Sequence, residues 1–231
     1  MTNADPILAG LNRLRRAGRP LDLLNLYHGA PIVYPGRVQA VAESTAIVHV
    51  PSFQIVCLTL EPVTTVLSQL LEEAVSARVL AVDLAAGLAT LGHFQYASQH
   101  IGHRMTVRVA PRQPVQVPVE CGAVAVEGEL ADLSINGIGL HLSTAQAAAF
   151  RPRAVVRLRL PLPGTTTAAL DISGTVRFVR SEGDQARLGI TFAQDVQMMS
   201  ILPYVRERQN EILTELQAVY DSQLGRVRAA V

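Results

Sequence analysis

The chain has no lysine and no tryptophan, and all 20 of its basic residues are arginine. The missing lysine removes Schiff-base chemistry, the phosphate-loop lysine and the kinase lysine together. Aromatic residues make up 4% of the chain, too few for the stacking platforms of RNA-binding barrels. A net charge of +1 leaves no basic face for a nucleic-acid polymer or an anionic membrane. The two cysteines, Cys57 and Cys121, lie far apart and form no C-x-x-C. Both fall in apolar, strand-like runs and read as buried free thiols rather than a disulfide. No run reaches the about 18 apolar residues of a membrane span, and the first thirty residues show no signal peptide. The chain is therefore read as cytoplasmic. Ser134 has no histidine partner, and His100-x-x-His103 has no cysteine or carboxylate cluster beside it. Nucleophilic catalysis and a metal site are both poor readings, so the chain is read as a non-enzyme without cofactor or metal.

What is present is a hydrophobic share of 49% against 17% charged residues in 231, which suits a compact chain of one large or two small domains. Asp5 and Pro6 open an amphipathic helix over 5–17, with Ile7, Leu8, Leu11 and Leu14 on one face and Gly18 and Pro20 ending it. Leu21 to Tyr27 reads as a second short helical turn. From Ala30 the signal changes to strands: Ile32–Tyr34, Arg37–Ala42, Thr45–Val50 and Phe53–Leu60 are short, β-branched and punctuated by Pro-Gly or Pro-Ser. Val66, Leu67, Leu70, Leu71 and Ala74 recur at helical spacing and predict a helix over 64–74. Arg78–Leu84 and Leu88–Tyr96 return to strand. Further on, Val115–Val119 and Val124–Leu133 read as strands, and Ser143 caps a short helix to Phe150. Val155–Leu160 alternates so that Arg157 and Arg159 face outward. Residues 195–223 read as a helix carrying Leu202, Val205, Gln209, Ile212, Leu216 and Val219 at spacings of three and four, either closing a barrel or forming a dimer seam. Pro203 is expected in its first turn or at a kink, and 224–231 are expected to fray.

The chemistry concentrates in residues 104–139. Arg104 and Arg108 offer two planar forks of donors, suited to phosphate oxygens and to the O6/N7 edge of guanine. Asp132 and Ser134 are alternate residues at a strand end and point the same way, and a carboxylate there accepts from the N–H donors of a guanine edge. Gly137 lacks a Cβ, which lets a ligand approach the backbone. The set suits a small anionic ligand rich in guanine. The arginine spacing alone is unspecific, since it recurs at Arg15/Arg19, Arg108/Arg112 and Arg153/Arg157. The Asp-x-Ser-x-x-Gly string occurs once.

Arg-x-x-x-Arg, a gap of some twenty residues, then Asp-x-Ser-x-x-Gly at a strand end resembles the PilZ domain. Ser173–Arg180 and Ala186–Phe192 look like the last two strands of its barrel, and the resemblance covers residues 98–195. It implies a six-stranded antiparallel barrel and a ligand, cyclic di-GMP, bound by Arg104, Arg108, Asp132, Ser134 and Gly137, with His103 as a further candidate contact. Position before such a domain makes the β-rich segment similar to the N-terminal domain of flagellar-brake-type members. The expected fold class is mainly β, with two small barrels in tandem and helices at either end. The expected division is 1–29 helical, 30–97 β-rich, 98–195 PilZ and 196–231 helical. In such arrangements the arginine segment lies at the junction, so bound nucleotide would order a hinge and regulate a protein partner in motility or exopolysaccharide control. A ligand-independent PilZ adaptor is the second reading. The oligomeric expectation is a monomer or a homodimer through the C-terminal helix.

Overall fold

A computed structural model describes residues 5–97, 106–162, 169–193 and 198–229. The chain divides into two compact units. One comprises Met1–Tyr27, Pro31–Arg104 and Ile212–Val231; the other comprises His28–Ala30 and Met105–Glu211.

The first unit opens with helix α1, Pro6–Ala17. Asp5 caps it by accepting from the Ile7 amide at 2.9 Å, and Gly18 ends it in the left-handed conformation at φ 60°. Six strands follow: β1 (Leu21–Tyr27), β2 (Ala30–Val41), β3 (Thr45–His49), β4 (Val63–Leu67), β5 (Val75–Asp83) and β6 (Leu88–Tyr96). They close an antiparallel barrel in the order β1-β2-β3-β6-β5-β4. Its core is built from Leu11, Leu14, Leu23, Val48, Ile55, Val56, Val75, Ala77 and Leu91, joined by Leu216 from the C-terminal helix.

Three sequence expectations are corrected here. Leu21–Tyr27 is a strand, not a helical turn, because barrel closure demands it: β1 pairs with β4 at Asp22↔Leu67, Leu23↔Val66 and Leu24↔Thr65. The helix expected over 64–74 is strand β4 followed by turns. The β-branched Val63-Thr-Thr-Val66 run pairs on both sides, with β1 and β5, and this tertiary pairing overrides the helical spacing. Phe53–Leu60, expected as a strand, is helix α2, Ser52–Leu60. All five residues Gln54–Leu58 are buried, and for a short run buried all round, periodicity does not separate helix from strand. Cys57 is therefore on a helix; it is buried and free, while Cys121 is free and half-buried.

The second unit repeats the plan. Strands β7 (Gln116–Cys121), β8 (Val124–Ser134) and β9 (Gly137–Ser143) precede helix α3 (Thr144–Ala147); β10 (Val155–Leu160), β11 (Leu170–Glu182) and β12 (Gln185–Phe192) follow it. The barrel closes in the order β10-β11-β12-β9-β8-β7, which read in reverse is the first barrel's order. In both, a short helix separates the third strand from the fourth. Ser143 caps α3 in a reciprocal capping box with Gln146. Val117, Val119, Leu133, Ile138, Leu140, Leu158, Leu160, Leu188 and Ile190 are fully buried. Arg157 and Arg159 face outward as the alternation predicts.

Helix α4 spans Met198–Ala229, so residues 224–229 of the end expected to fray are helical, while 230–231 lie outside the described residues. Pro203 stands in its second turn and removes the hydrogen bond that would go to the carbonyl of Met199, a residue 81% exposed. The buried stripe is Ile201, Tyr204, Val205, Arg208, Ile212 and Leu216. Arg208 thus takes the place expected of Gln209, which is only half-buried. No helix among the described residues is long and apolar enough to cross a membrane.

Candidate functional site

Strand β8 carries a bulge between Leu130 and Asp132. Because strand side chains alternate, the extra residue shifts the phase of everything after it. Leu130 opposite Leu140 and Leu133 opposite Ile138 point into the core, while Asp132 opposite Gly139 and Ser134 opposite Gly137 point to the outer face. Without the bulge, Asp132 would share the inward phase of Leu130.

On that face Asp132 is 5% exposed, a burial a carboxylate tolerates only when paired. Two arginines pair it. Arg108 donates from one terminal nitrogen to Oδ1 at 2.8 Å, and Arg187 on β12 donates to Oδ2. Both guanidinium groups remain about one-third exposed, so each keeps donors for a ligand. A floor of glycines lies beside them. Gly139 sits opposite Asp132 on one side and Gly189 on the other. A Cβ at Gly139 would lie 2.8 Å from Asp132 Oδ2, and one at Gly189 would run into the Phe178 ring. Phe178 is 37% exposed, and the Arg180 guanidinium stands 5.7 Å from its ring centroid. Arg177 donates from Nε to the Thr191 hydroxyl at 3.1 Å. The outer face therefore joins several cations, one aromatic ring and a flat backbone floor around the buried Asp132 carboxylate. Chemically it suits an anion that carries a planar ring.

Arg108 is anchored through its backbone. Its neighbour Val109 exchanges two hydrogen bonds with Leu133, each 2.9 Å, an isolated antiparallel bridge.

The residues singled out in the sequence fare unequally. Arg108 and Asp132 are brought into direct contact. Arg104 and His103 lie outside the described residues. Ser134 is 1% exposed and turned into its own hairpin: its hydroxyl donates to the Gly137 carbonyl at 3.1 Å and accepts from the Asn136 amide at 3.4 Å. Gly137 is required for a nearer reason than ligand access, since a Cβ there would lie 2.5 Å from the Ile190 carbonyl oxygen. Arg187, Phe178 and Gly139 were not singled out. Alternation around Ala186, Leu188 and Ile190 points Arg187 outward, but only the pairing of β12 with β9 sets it near Asp132. Among the described residues no group of three or more His, Cys, Asp or Glu is arranged to hold a metal.

Fold and site define the second unit as a six-stranded antiparallel barrel with an arginine–carboxylate corner at the end of its second strand. Residues 103–206 match the family model of the PilZ domain. The match indicates no enzyme family. Comparison with curated proteins finds no match. Among solved structures, the chain is similar to the Bacillus subtilis inhibitor of motility MotI/DgrA (13% identity, 83% of this chain and 96% of that one, TM-score 0.41). It is also similar to MrkH of K. pneumonia in its c-di-GMP complex (12%, 94% and 97%, TM-score 0.44). A third similar structure is Escherichia coli YcgR in complex with c-di-GMP (15%, 97% and 96%, TM-score 0.37).

Proposed function

We propose that this protein is a non-catalytic cyclic di-GMP receptor. The nucleotide is held on the outer face of the second barrel by Arg108, Arg187 and, from the segment before it, Arg104, with His103 a candidate neighbour. The observation that carries this reading is the Asp132 carboxylate gripping two guanidinium groups while leaving part of each exposed. Asp132 thereby has two roles: it fixes the forks that meet phosphate or guanine, and it accepts from a guanine edge when one arginine turns to the ligand. Ser134 and Gly137 support the corner by closing the hairpin at its end. Bound nucleotide then engages Arg104 together with the already seated Arg108 and so regulates a protein partner in the cytoplasm.

Calorimetric titration with cyclic di-GMP tests this. The full chain is expected to release or absorb measurable heat at micromolar nucleotide. Arg187→Ala is expected to weaken binding by about 1–3 kcal/mol, roughly tenfold to a hundredfold, as for other bidentate arginine–guanine contacts. Silence of the wild-type chain at micromolar nucleotide would overturn the receptor reading in favour of an adaptor that ignores the ligand.

A further inference from the structure

The turn His28–Ala30 belongs to the same compact unit as Met105–Glu211, although it is distant from the site in sequence. It joins β1 to β2 as a two-residue hairpin. Both central residues have positive φ, His28 at 48° and Gly29 at 80°, the pattern of a type I′ turn. Glycine is used at Gly29 for a second reason: a Cβ would meet the Arg108 carbonyl oxygen at 3.3 Å and the Ala110 nitrogen at 3.4 Å. The turn also bonds this segment directly, the Ala110 amide donating to the His28 carbonyl at 2.7 Å. On the far side of Ala110, the buried Arg208 donates from Nε to the Ala110 carbonyl at 2.9 Å. Val109 between them is bridged to Leu133. Arg108–Ala110 is thus fixed by three independent backbone anchors, and Arg108's grip on Asp132 is delivered from that fixed backbone.

We propose that the His28–Gly29 turn is a positioning element for Arg108: it touches no ligand, but it sets the backbone from which the Arg108 guanidinium reaches the site. This rests on the receptor reading for its affinity readout and not for its structural one. Any side chain at Gly29 pushes the Arg108 carbonyl away and moves the guanidinium off Asp132. Misplacement of a binding group by an ångström or less weakens contacts that depend on fixed geometry.

The experiment uses the full chain and its variants Gly29→Ala, Gly29→Val, Gly122→Ala, Arg108→Ala and Gly29→Val/Arg108→Ala. Gly122→Ala is the control for backbone strain, since Gly122 has φ 60° and nothing within 4 Å of where a Cβ would stand. Calorimetry with cyclic di-GMP is expected to show Gly29→Val binding about tenfold more weakly, Gly29→Ala less affected, and Gly122→Ala unchanged. In the Arg108→Ala background, Gly29→Val should add nothing, because the two act through one group. Wild-type affinity in Gly29→Val, or additive losses in the double variant, overturns the proposal. Amide exchange of Val109 and Leu133 in nucleotide-free protein gives the second readout, expected to quicken in Gly29→Val and not in Gly122→Ala. If the wild-type chain binds no cyclic di-GMP, the receptor reading fails, and unchanged exchange at those two amides then overturns the positioning role separately. Should Gly29→Val fail to fold, Gly29→Ala carries the same comparisons.

Discussion

The two barrels share one backbone plan and differ in what it carries. In the first, Val38 pairs with Val48, a bulge follows, and Ala40 and Val41 pair with Ile47 and Ala46. In the second, Leu130 pairs with Leu140, a bulge follows, and Asp132 and Leu133 pair with Gly139 and Ile138. The bulge falls at the same step of the same hairpin. Even the glycine preceding it is shared: a Cβ at Gly36 would meet Val48 at 2.9 Å, and one at Gly128 would meet Leu142 at 2.9 Å. The third and sixth strands align likewise, Ile47↔Thr90 and His49↔Leu88 in the first barrel corresponding to Gly139↔Gly189 and His141↔Arg187 in the second. Where the second barrel has Asp132, Gly139, Arg187 and Gly189, the first has Ala40, Ile47, Leu88 and Thr90. Ala81, opposite Thr90 after a bulge, stands where Phe178 stands opposite Gly189. The lesson is that the bulge creates an outward-facing corner wherever it occurs, while a handful of side chains decide whether that corner is a charged cradle or plain surface.

The strongest way to break the comparison is to copy the first barrel's residues into the second. Gly137→Thr, which copies Thr45, places a Cβ within 2.5 Å of the Ile190 carbonyl. It should cost about 3 kcal/mol or more of stability, read as a fall in the thermal midpoint. Arg108→Ala should weaken cyclic di-GMP binding by about 1–3 kcal/mol, measured by calorimetry, while far-ultraviolet circular dichroism stays that of the wild type. Gly139→Ala is gentler, because the atom it meets belongs to the Asp132 side chain, which can move. It should shift Asp132 off Arg187 and lower affinity several-fold, on the order of 1 kcal/mol, with little change in midpoint.

A smaller effect separates the barrels by pH. Burial first, and the Glu61 carboxylate second, push the Cys57 thiol up from 9.0 to about 12. The folded state thus keeps a proton that the unfolded chain releases. Stability from this group is whole below pH 9 and declines as pH rises towards 12, roughly 1 kcal/mol being gone by pH 10. Denaturant titrations at pH 8 and pH 10 should show a smaller decline in Cys57→Ala than in the wild type. In native protein a thiol reagent should label half-buried Cys121 well before Cys57. Smallest of all, Ala40→Asp places a carboxylate at the first barrel's equivalent corner, where Ala40 is exposed. It should change stability by less than about 0.5 kcal/mol and leave nucleotide binding untouched.

Much of the second barrel was legible because its signals are local. Val155–Leu160 alternates without exception, Ser143 and Gln146 complete a capping box, and the turn residues after Ser134 bound a hairpin. Arg108 and Asp132 were legible as members of one motif, but not their pairing with each other. The first barrel misled at Leu21–Tyr27, Phe53–Leu60 and 64–74 because those segments are apolar on more than one face, and their partners are distant in sequence: β1 closes on β4, and α2 packs on β1, β5 and β6.

By itself, then, the sequence determined the chemistry available to this protein: arginine with no lysine, one Asp-x-Ser-x-x-Gly string, two thiols and no membrane-length apolar run. It also determined which residues alternate and which cap. Only the tertiary structure decided that Arg187 joins Arg108 on one carboxylate, that Gly137 and Gly139 serve close packing against β12 and Asp132, and that one bulge turns Asp132 outward. Those outcomes depend on strand order and register, which are set by closing a barrel between residues tens of positions apart. No local pattern along the chain encodes that closure.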